Sequence, residues 1–108
     1  MCAAGARQLL PPPELGALRD RIDAVDDAIV ALLAQRIRIA HEVAACKREH
    51  GIPARLPDRI QAVLDRCTLA GAAQGLDPHY VRELWAVIIE ETCRLEERLL
   101  DSPTGSAD

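Results

Sequence analysis

The chain is poor in aromatic side chains, with no phenylalanine, one tryptophan and one tyrosine. Proteins that bind single-stranded nucleic acids stack the bases on aromatic rings, and a net charge of −4 also disfavours a polyanionic partner. Apolar content is nevertheless high, and it comes from leucine, isoleucine, valine and alanine with few β-branched runs. We therefore expect a helical bundle with no nucleic-acid partner.

Signals for a membrane, for secretion and for metal binding are also missing. The longest apolar run, residues 28–34, is far too short to span a bilayer, and the N-terminus has no hydrophobic region of the signal-peptide type. Cysteines 2, 46, 67 and 93 are far apart and form no Cys-x-x-Cys pair. We expect a cytoplasmic protein with four reduced thiols, without a metal site and without membrane contact.

One long helix is predicted at residues 14–50. It carries an apolar stripe whose steps alternate between three and four residues, as on one helix face. Three prolines precede this helix and Gly51 and Pro53 end it. It is roughly 55 Å long, whereas a compact globule of this mass is roughly 26 Å across. We therefore expect an intertwined homodimer in which a second chain covers it. The stripe consists of Leu15, Leu18, Ile22, Val25, Ile29, Leu32, Arg36, Ile39, Val43 and Cys46.

Two shorter helices follow. Pro57 suits the first turn of the second helix, which ends around Gly71. Asp77 and Pro78 form a cap and a first helical residue for the third, which ends near residue 101. The predicted fold class is all-α, a three-helix chain with one very long first helix. The predicted boundaries are a flexible tail at 1–13, a helical domain at 14–101 and a flexible tail at 102–108.

Three cations on the first helix break its pattern. Arg36 stands in the stripe, and Lys47, eleven residues on, lies on the same face roughly 16 Å away. Arg19 is rotated by about 100° and lies roughly 25 Å from Arg36, so in an antiparallel dimer the partner's copy would reach the site instead. Taken alone, each has a plainer interpretation: a solvated charge for Arg19, an ion-paired residue for Arg36 and a helix-end lysine for Lys47.

Two further charges bear on this site. Arg59 is in the first turn of the second helix, where the helix dipole disfavours a cation, which favours a ligand or a buried partner. Glu96 is one turn beyond Thr92, at the edge of an apolar stripe, where a glutamate ordinarily faces water. A cationic pocket of this kind suits a small dianion, because arginine binds carboxylates through a two-pronged fork.

The spacing of these residues resembles the all-helical chorismate mutase family over residues 15–99. The resemblance implies an intertwined dimer that converts chorismate to prephenate by a 3,3-sigmatropic (Claisen) rearrangement, without cofactor, metal or covalent intermediate. The motifs that carry it are Leu18-Arg19-x-x-Ile22-Asp23-x-x-Asp26, Leu32-Leu33-x-x-Arg36, Ala40-x-x-Val43-x-x-x-Lys47, Gly75-Leu76-Asp77-Pro78 and Ile88-Ile89-Glu90-Glu91.

The resemblance also implies roles for single residues. The partner's Arg19 and the chain's own Arg36 would hold the substrate carboxylates, and Lys47 would bond a carboxylate and the ether oxygen. Arg59 would support the pocket wall, and Thr92 would contact the ring carboxylate. A pericyclic step needs no acid, base or nucleophile; it needs the enolpyruvyl arm held over the ring and positive charge at the breaking ether bond.

Three positions depart from the family pattern. Ile60 replaces a glutamate that accepts a hydrogen bond from the C4 hydroxyl of chorismate, and Leu56 stands where an aspartate is frequent. Glu96 replaces a glutamine that donates to the ether oxygen; it could act protonated in that role, although Lys47 would favour its charged form. The predicted catalytic residues are Lys47, Glu96 and Arg36, and the predicted substrate-binding residues are Arg19, Arg36, Lys47, Arg59, Leu56, Ile60, Thr92 and Glu96.

These departures leave the substrate open. Chorismate and 4-amino-4-deoxychorismate both fit, since an ammonium on the ring could pair with Glu96. Isochorismate pyruvate lyase activity on the same fold is an alternative, and so is a non-catalytic dimer that regulates a partner enzyme. The family also suggests a complex with a larger shikimate-pathway enzyme.

Overall fold

The computed structural model describes residues 10–101, so most of the predicted tails, at 1–9 and 102–108, lie outside it. Helix α1 spans Pro13–His50, α2 spans Pro57–Ala73 and α3 spans Pro78–Asp101. The described chain has no strand, which confirms the all-α class and the very long first helix. Helix α1 begins one residue earlier than predicted, because proline is accommodated at the first helical position. None of the described helices is long and apolar enough to cross a membrane.

The chain falls into two units, Met1–Gln35 and Arg36–Asp108, and α1 contributes to both. In the first unit, the predicted stripe is exposed: Ile22, Val25 and Leu32 each keep more than half of their surface accessible. A row of exposed apolar side chains on one helix face is typical of a surface that a partner covers. The intertwined dimer remains a prediction.

The second unit has a small apolar core between α2 and α3. Its buried residues are Val63 and Cys67 on α2 and Val81, Ile89 and Cys93 on α3. The two helices approach closely at one point because α2 has no side chain there. A Cβ atom added to Gly71 would lie 2.5 Å from Cγ2 of Val81.

Gly51 ends α1 and directs the chain toward α2. Its φ of +67° lies in the left-handed region that glycine adopts without strain. The Ile52 N–H donates to the carbonyl of Lys47 at 2.8 Å and the Gly51 N–H to that of Arg48 at 3.4 Å, which is the Schellman arrangement at a helix end. This turn fixes how the connector, residues 51–56, leaves the last turn of α1.

Asp77 caps the N-terminus of α3, as the sequence predicts. Its Oδ1 accepts a hydrogen bond from the N–H of His79 at 2.9 Å, and Pro78 occupies the first helical position.

Candidate active site

A pocket of about 300 Å³ opens in the second unit, between the end of α1, the connector, α2 and α3. Its polar walls bring together six side chains, of which four are cationic and one is a carboxylate. Isoleucine, valine and alanine side chains and one cysteine, Cys93, form the rest of the wall. The six polar side chains are Arg36, Lys47, Arg59, Arg66, Thr92 and Glu96.

Arg36 is held by Thr92. Its Nη1 donates to Thr92 Oγ1 at 2.8 Å, and that hydroxyl donates in turn to the carbonyl of Ile88 at 2.7 Å. The hydroxyl hydrogen of Thr92 is therefore already used, and the four other N–H groups of the Arg36 guanidinium are left for a ligand. In this arrangement Thr92 orients Arg36, and it would have to rotate to donate to a substrate carboxylate.

Lys47 has two partners in the pocket wall. Its Nζ donates to Glu96 Oε1 at 2.7 Å and to the carbonyl of Ala54, in the connector, also at 2.7 Å. An ammonium group has three N–H donors, so one is left for a ligand. The Lys47 side chain is 14% exposed, which leaves its charge little screened by water.

Glu96 is buried, with 6% of its surface accessible. The interpretation of Glu96 as a boundary residue facing water is therefore wrong: the ammonium of Lys47 gives this glutamate an ionic partner inside the second unit. Its second oxygen, Oε2, makes no hydrogen bond within residues 10–101. That oxygen is the free polar atom of the pocket's single carboxylate.

Helix α2 contributes Arg59, Ile60 and Arg66 to the pocket. The two arginines are seven residues apart and so lie on one face, two turns from each other. Neither forms an ion pair within the described chain. Arg66 was missed in the sequence, although its spacing from Arg59 was the signal that places it there. The backbone carbonyl of Ala54 was also missed, because residue type gives no sign of it.

Two predicted site residues are placed elsewhere. Leu56 is the N-cap residue of α2, where it makes no side-chain cap, and it does not line the pocket. Arg19 belongs to the first unit. Their contacts with substrate remain predictions.

Nothing in this pocket resembles an activated nucleophile. Cys93 lines it, but burial raises the pKa of its thiol, and it is the thiolate that attacks. No cluster of three potential metal ligands occurs within the described residues. The fold and the pocket define a class: an all-helical protein with a cationic pocket whose charge suits a small anionic ligand.

Comparison with known proteins identifies the family within this class. Residues 18–97 match the family described as chorismate mutase type II. A 4-amino-4-deoxychorismate mutase of Streptomyces venezuelae is 34% identical over 95 residues, which cover 88% of this chain and 92% of the relative. A second enzyme of that name, from Streptomyces pristinaespiralis, is 39% identical over 88 residues, covering 82% and 68%.

The bifunctional chorismate mutase/prephenate dehydratase of Escherichia coli is 39% identical over 84 residues, which are 78% of this chain and 22% of that larger protein. The chain thus belongs to the type II chorismate mutase family. It is an isomerase of the chorismate mutase type.

Proposed function

We propose that this isomerase rearranges 4-amino-4-deoxychorismate, and that chorismate is its second substrate. The observation that carries the proposal is Ile60, an apolar side chain in a pocket wall where a family member specific for chorismate has an acceptor for the C4 hydroxyl. A buried hydroxyl without an acceptor loses its bonds to water and gains nothing, whereas the ammonium of the 4-amino substrate could pair with the free Oε2 of Glu96. The two Streptomyces relatives, both named for the 4-amino substrate, support the same choice.

The reaction needs two carboxylates held and one oxygen stabilised. Arg36, oriented by Thr92, offers a planar pair of donors to one carboxylate. The remaining N–H of Lys47 would donate to the ether oxygen, on which negative charge grows as the carbon–oxygen bond breaks. Because its other two N–H groups are held by Glu96 and Ala54, this donor is oriented before the substrate arrives.

Two further parts of the proposal concern the second subunit. The exposed apolar side chains of the first unit support a homodimer, and the partner's Arg19 would then complete each site. The E. coli relative, in which the matched region is a small part of a larger enzyme, supports association with a second shikimate-pathway enzyme. A cytoplasmic location remains a prediction.

The direct test measures loss of diene absorbance and identifies the products with three substrates: chorismate, its 4-amino analogue and isochorismate. We expect a rearranged product from the first two, with kcat/KM at least about 10-fold higher for the 4-amino compound. Release of pyruvate would identify a lyase, and no turnover of any substrate would favour the non-catalytic regulatory dimer.

Ile60→Glu tests the substrate choice within the same chain. It restores an acceptor for the C4 hydroxyl, so we expect kcat/KM for chorismate to rise by about 10-fold, the value of one buried hydrogen bond. Ile60→Leu conserves volume and polarity and serves as the control. An unchanged ratio between the two substrates would contradict the role given to Ile60.

A further inference from the structure

Arg55 makes the densest set of hydrogen bonds in the described chain, although it is outside the pocket. Its Nε donates to Glu97 Oε2 at 2.6 Å and its Nη1 to Glu90 Oε1 at 2.8 Å. Nη2 reaches a second oxygen of each glutamate, at 3.1 Å for Glu90 and 3.3 Å for Glu97. Two-pronged pairs of this kind fix orientation as well as charge, so the guanidinium ties the connector to two points of α3 that are two turns apart.

The position of Arg55 along the chain connects these hydrogen bonds to Lys47. Arg55 directly follows Ala54, whose carbonyl holds Lys47, and Glu97 directly follows Glu96, which holds Lys47 as well. The contacts therefore close a ring: Lys47 to Ala54, along the peptide to Arg55, across to Glu97, back along α3 to Glu96, and again to Lys47. Both acceptors of the Lys47 ammonium therefore belong to residues that directly precede a member of the Arg55–Glu97 ion pair.

Backbone hydrogen bonds hold both ends of the connector, but within the described residues none reaches residues 53–55. Residues 51–56 form no regular structure, and the N-cap position of α2, Leu56, makes no side-chain hydrogen bond. The Ala54 side chain is buried, but one methyl group does not fix the direction of a carbonyl. The bonds from Arg55 are those that orient this peptide from outside.

We propose that Arg55 is a positioning residue for Lys47: by tying the connector to Glu90 and Glu97, it aims the Ala54 carbonyl and thereby the one free N–H of the Lys47 ammonium. The proposal rests on the function given to Lys47 above. An error of about 1 Å in placing a catalytic group can cost up to about 100-fold in rate, so Arg55 acts on turnover although it never touches the substrate.

The test compares Arg55→Gln with Arg82→Gln. Arg82 also makes a cross-helix surface ion pair, with Asp65 at 2.8 Å and with similar exposure, 42% against 40% for Arg55, but it has no link to Lys47. We expect Arg55→Gln to lower kcat by about 10-fold with KM changed less than about 2-fold, because the interaction lost is one made in the transition state. Arg82→Gln should leave kcat within about 2-fold, with a similar small change in the urea midpoint.

A second readout needs no substrate. The ammonium of Lys47 gives its own signal in proton–nitrogen NMR when its hydrogens exchange slowly. We expect that signal in the parent chain and in Arg82→Gln, and we expect it broadened or lost in Arg55→Gln. Arg55→Lys, which keeps the charge but not the fork, should be intermediate in both readouts.

Glu90→Ala combined with Glu97→Ala removes the same contacts from α3, and it replaces Arg55→Gln if that variant does not fold. An unchanged Lys47 signal overturns the proposal, whatever happens to kcat, and so does a fall in kcat no larger than that of Arg82→Gln. Inactivity of the parent chain on all three substrates would refute the proposed function, while the NMR comparison would still decide whether Arg55 orients Lys47.

Discussion

Glu96 is the residue whose chemical role differs most between the two states of a carboxyl group. Protonated, it could donate to the ether oxygen from Oε2; ionised, it can only accept. We predict that, with chorismate as the substrate, Glu96 serves as a donor to the ether oxygen, so that Glu96→Gln, whose amide carries a permanent N–H, keeps or raises kcat. Glu96→Ala, which has neither a donor nor an acceptor, should lower kcat by about 100-fold.

Glu91→Gln is the control for these variants, since Glu91 is an exposed residue of α3 outside the pocket. It should keep the kcat of the parent chain. A fall in kcat in Glu96→Gln as large as that in Glu96→Ala would contradict the hypothesis and would leave Glu96 as a partner of Lys47 alone.

Single residues also show how much of the candidate site can be predicted from the sequence. Arg36 is recognisable because it is a cation in an apolar stripe, and Lys47 because it lies on the same helix face. Arg59 is recognisable because the helix dipole disfavours a cation in the first turn. The bond from Lys47 to Ala54 has no such signal, because its acceptor is backbone and depends on how the connector turns. Leu56 was assigned to the site from its family position, and its local role as the N-cap residue of α2 was not visible in the sequence.

At the scale of elements, the contact between α2 and α3 depends on the missing side chain of Gly71. We predict that Gly71→Ala destabilises the fold by about 1–2 kcal/mol: the added methyl group meets Val81, an overpacking cost of about 1–3 kcal/mol, and higher helix propensity offsets part of it. Urea unfolding followed by circular dichroism gives the value.

Gly16→Ala is the matched control, because Gly16 is also helical but has nothing within 4 Å of the added methyl. It should stabilise by about 0.5 kcal/mol. Equal effects of the two substitutions would mean that helix propensity, and not the contact with Val81, decides the outcome.

The stabilisation from the ion pairs of Arg55 with Glu90 and Glu97 also depends on pH. Hydrogen bonds from Arg55, and after it Arg94, lower the pKa of Glu90 from 4.5 to about 2, and Arg55 lowers that of Glu97 as well. A lowered pKa in the folded state means that the stabilisation is fully present above about pH 4.5 and is lost as the pH falls toward about 2.

We therefore predict that the parent chain exceeds Arg55→Gln in urea midpoint at pH 7, and that this difference shrinks on acidification below about pH 4.5. Both pairs are on the surface, so the difference is small and decreases with added salt. A difference that stays constant between about pH 7 and about pH 3 would show that the carboxylates of Glu90 and Glu97 do not contribute through charge.

At the scale of the whole molecule, the proposed dimer shares its sites between chains, and that can be tested by mixing inactive variants. Arg19→Ala and Lys47→Ala should each abolish most turnover. In a mixed dimer one site would receive an intact Arg19 from one chain and an intact Lys47 from the other, while the second site would lose both. After random re-association we predict about a quarter of the parent activity.

Mixing without re-association, at a temperature where dimers do not exchange, is the control and should give no recovery. Failure to recover activity after full exchange would show that Arg19 and Lys47 of one chain serve the same site, or that Arg19 serves none.

The ring of contacts around Lys47 also limits how the chain can change in length. The turn at Gly51 fixes where the connector starts, and six residues separate Lys47 from the carbonyl that holds it. One inserted or deleted residue would displace Ala54 by about 3.3 Å, which exceeds the narrow range of hydrogen-bond lengths. The connector therefore acts as a spacer of set length, and a homologue with a longer loop must hold the same ammonium through a different acceptor.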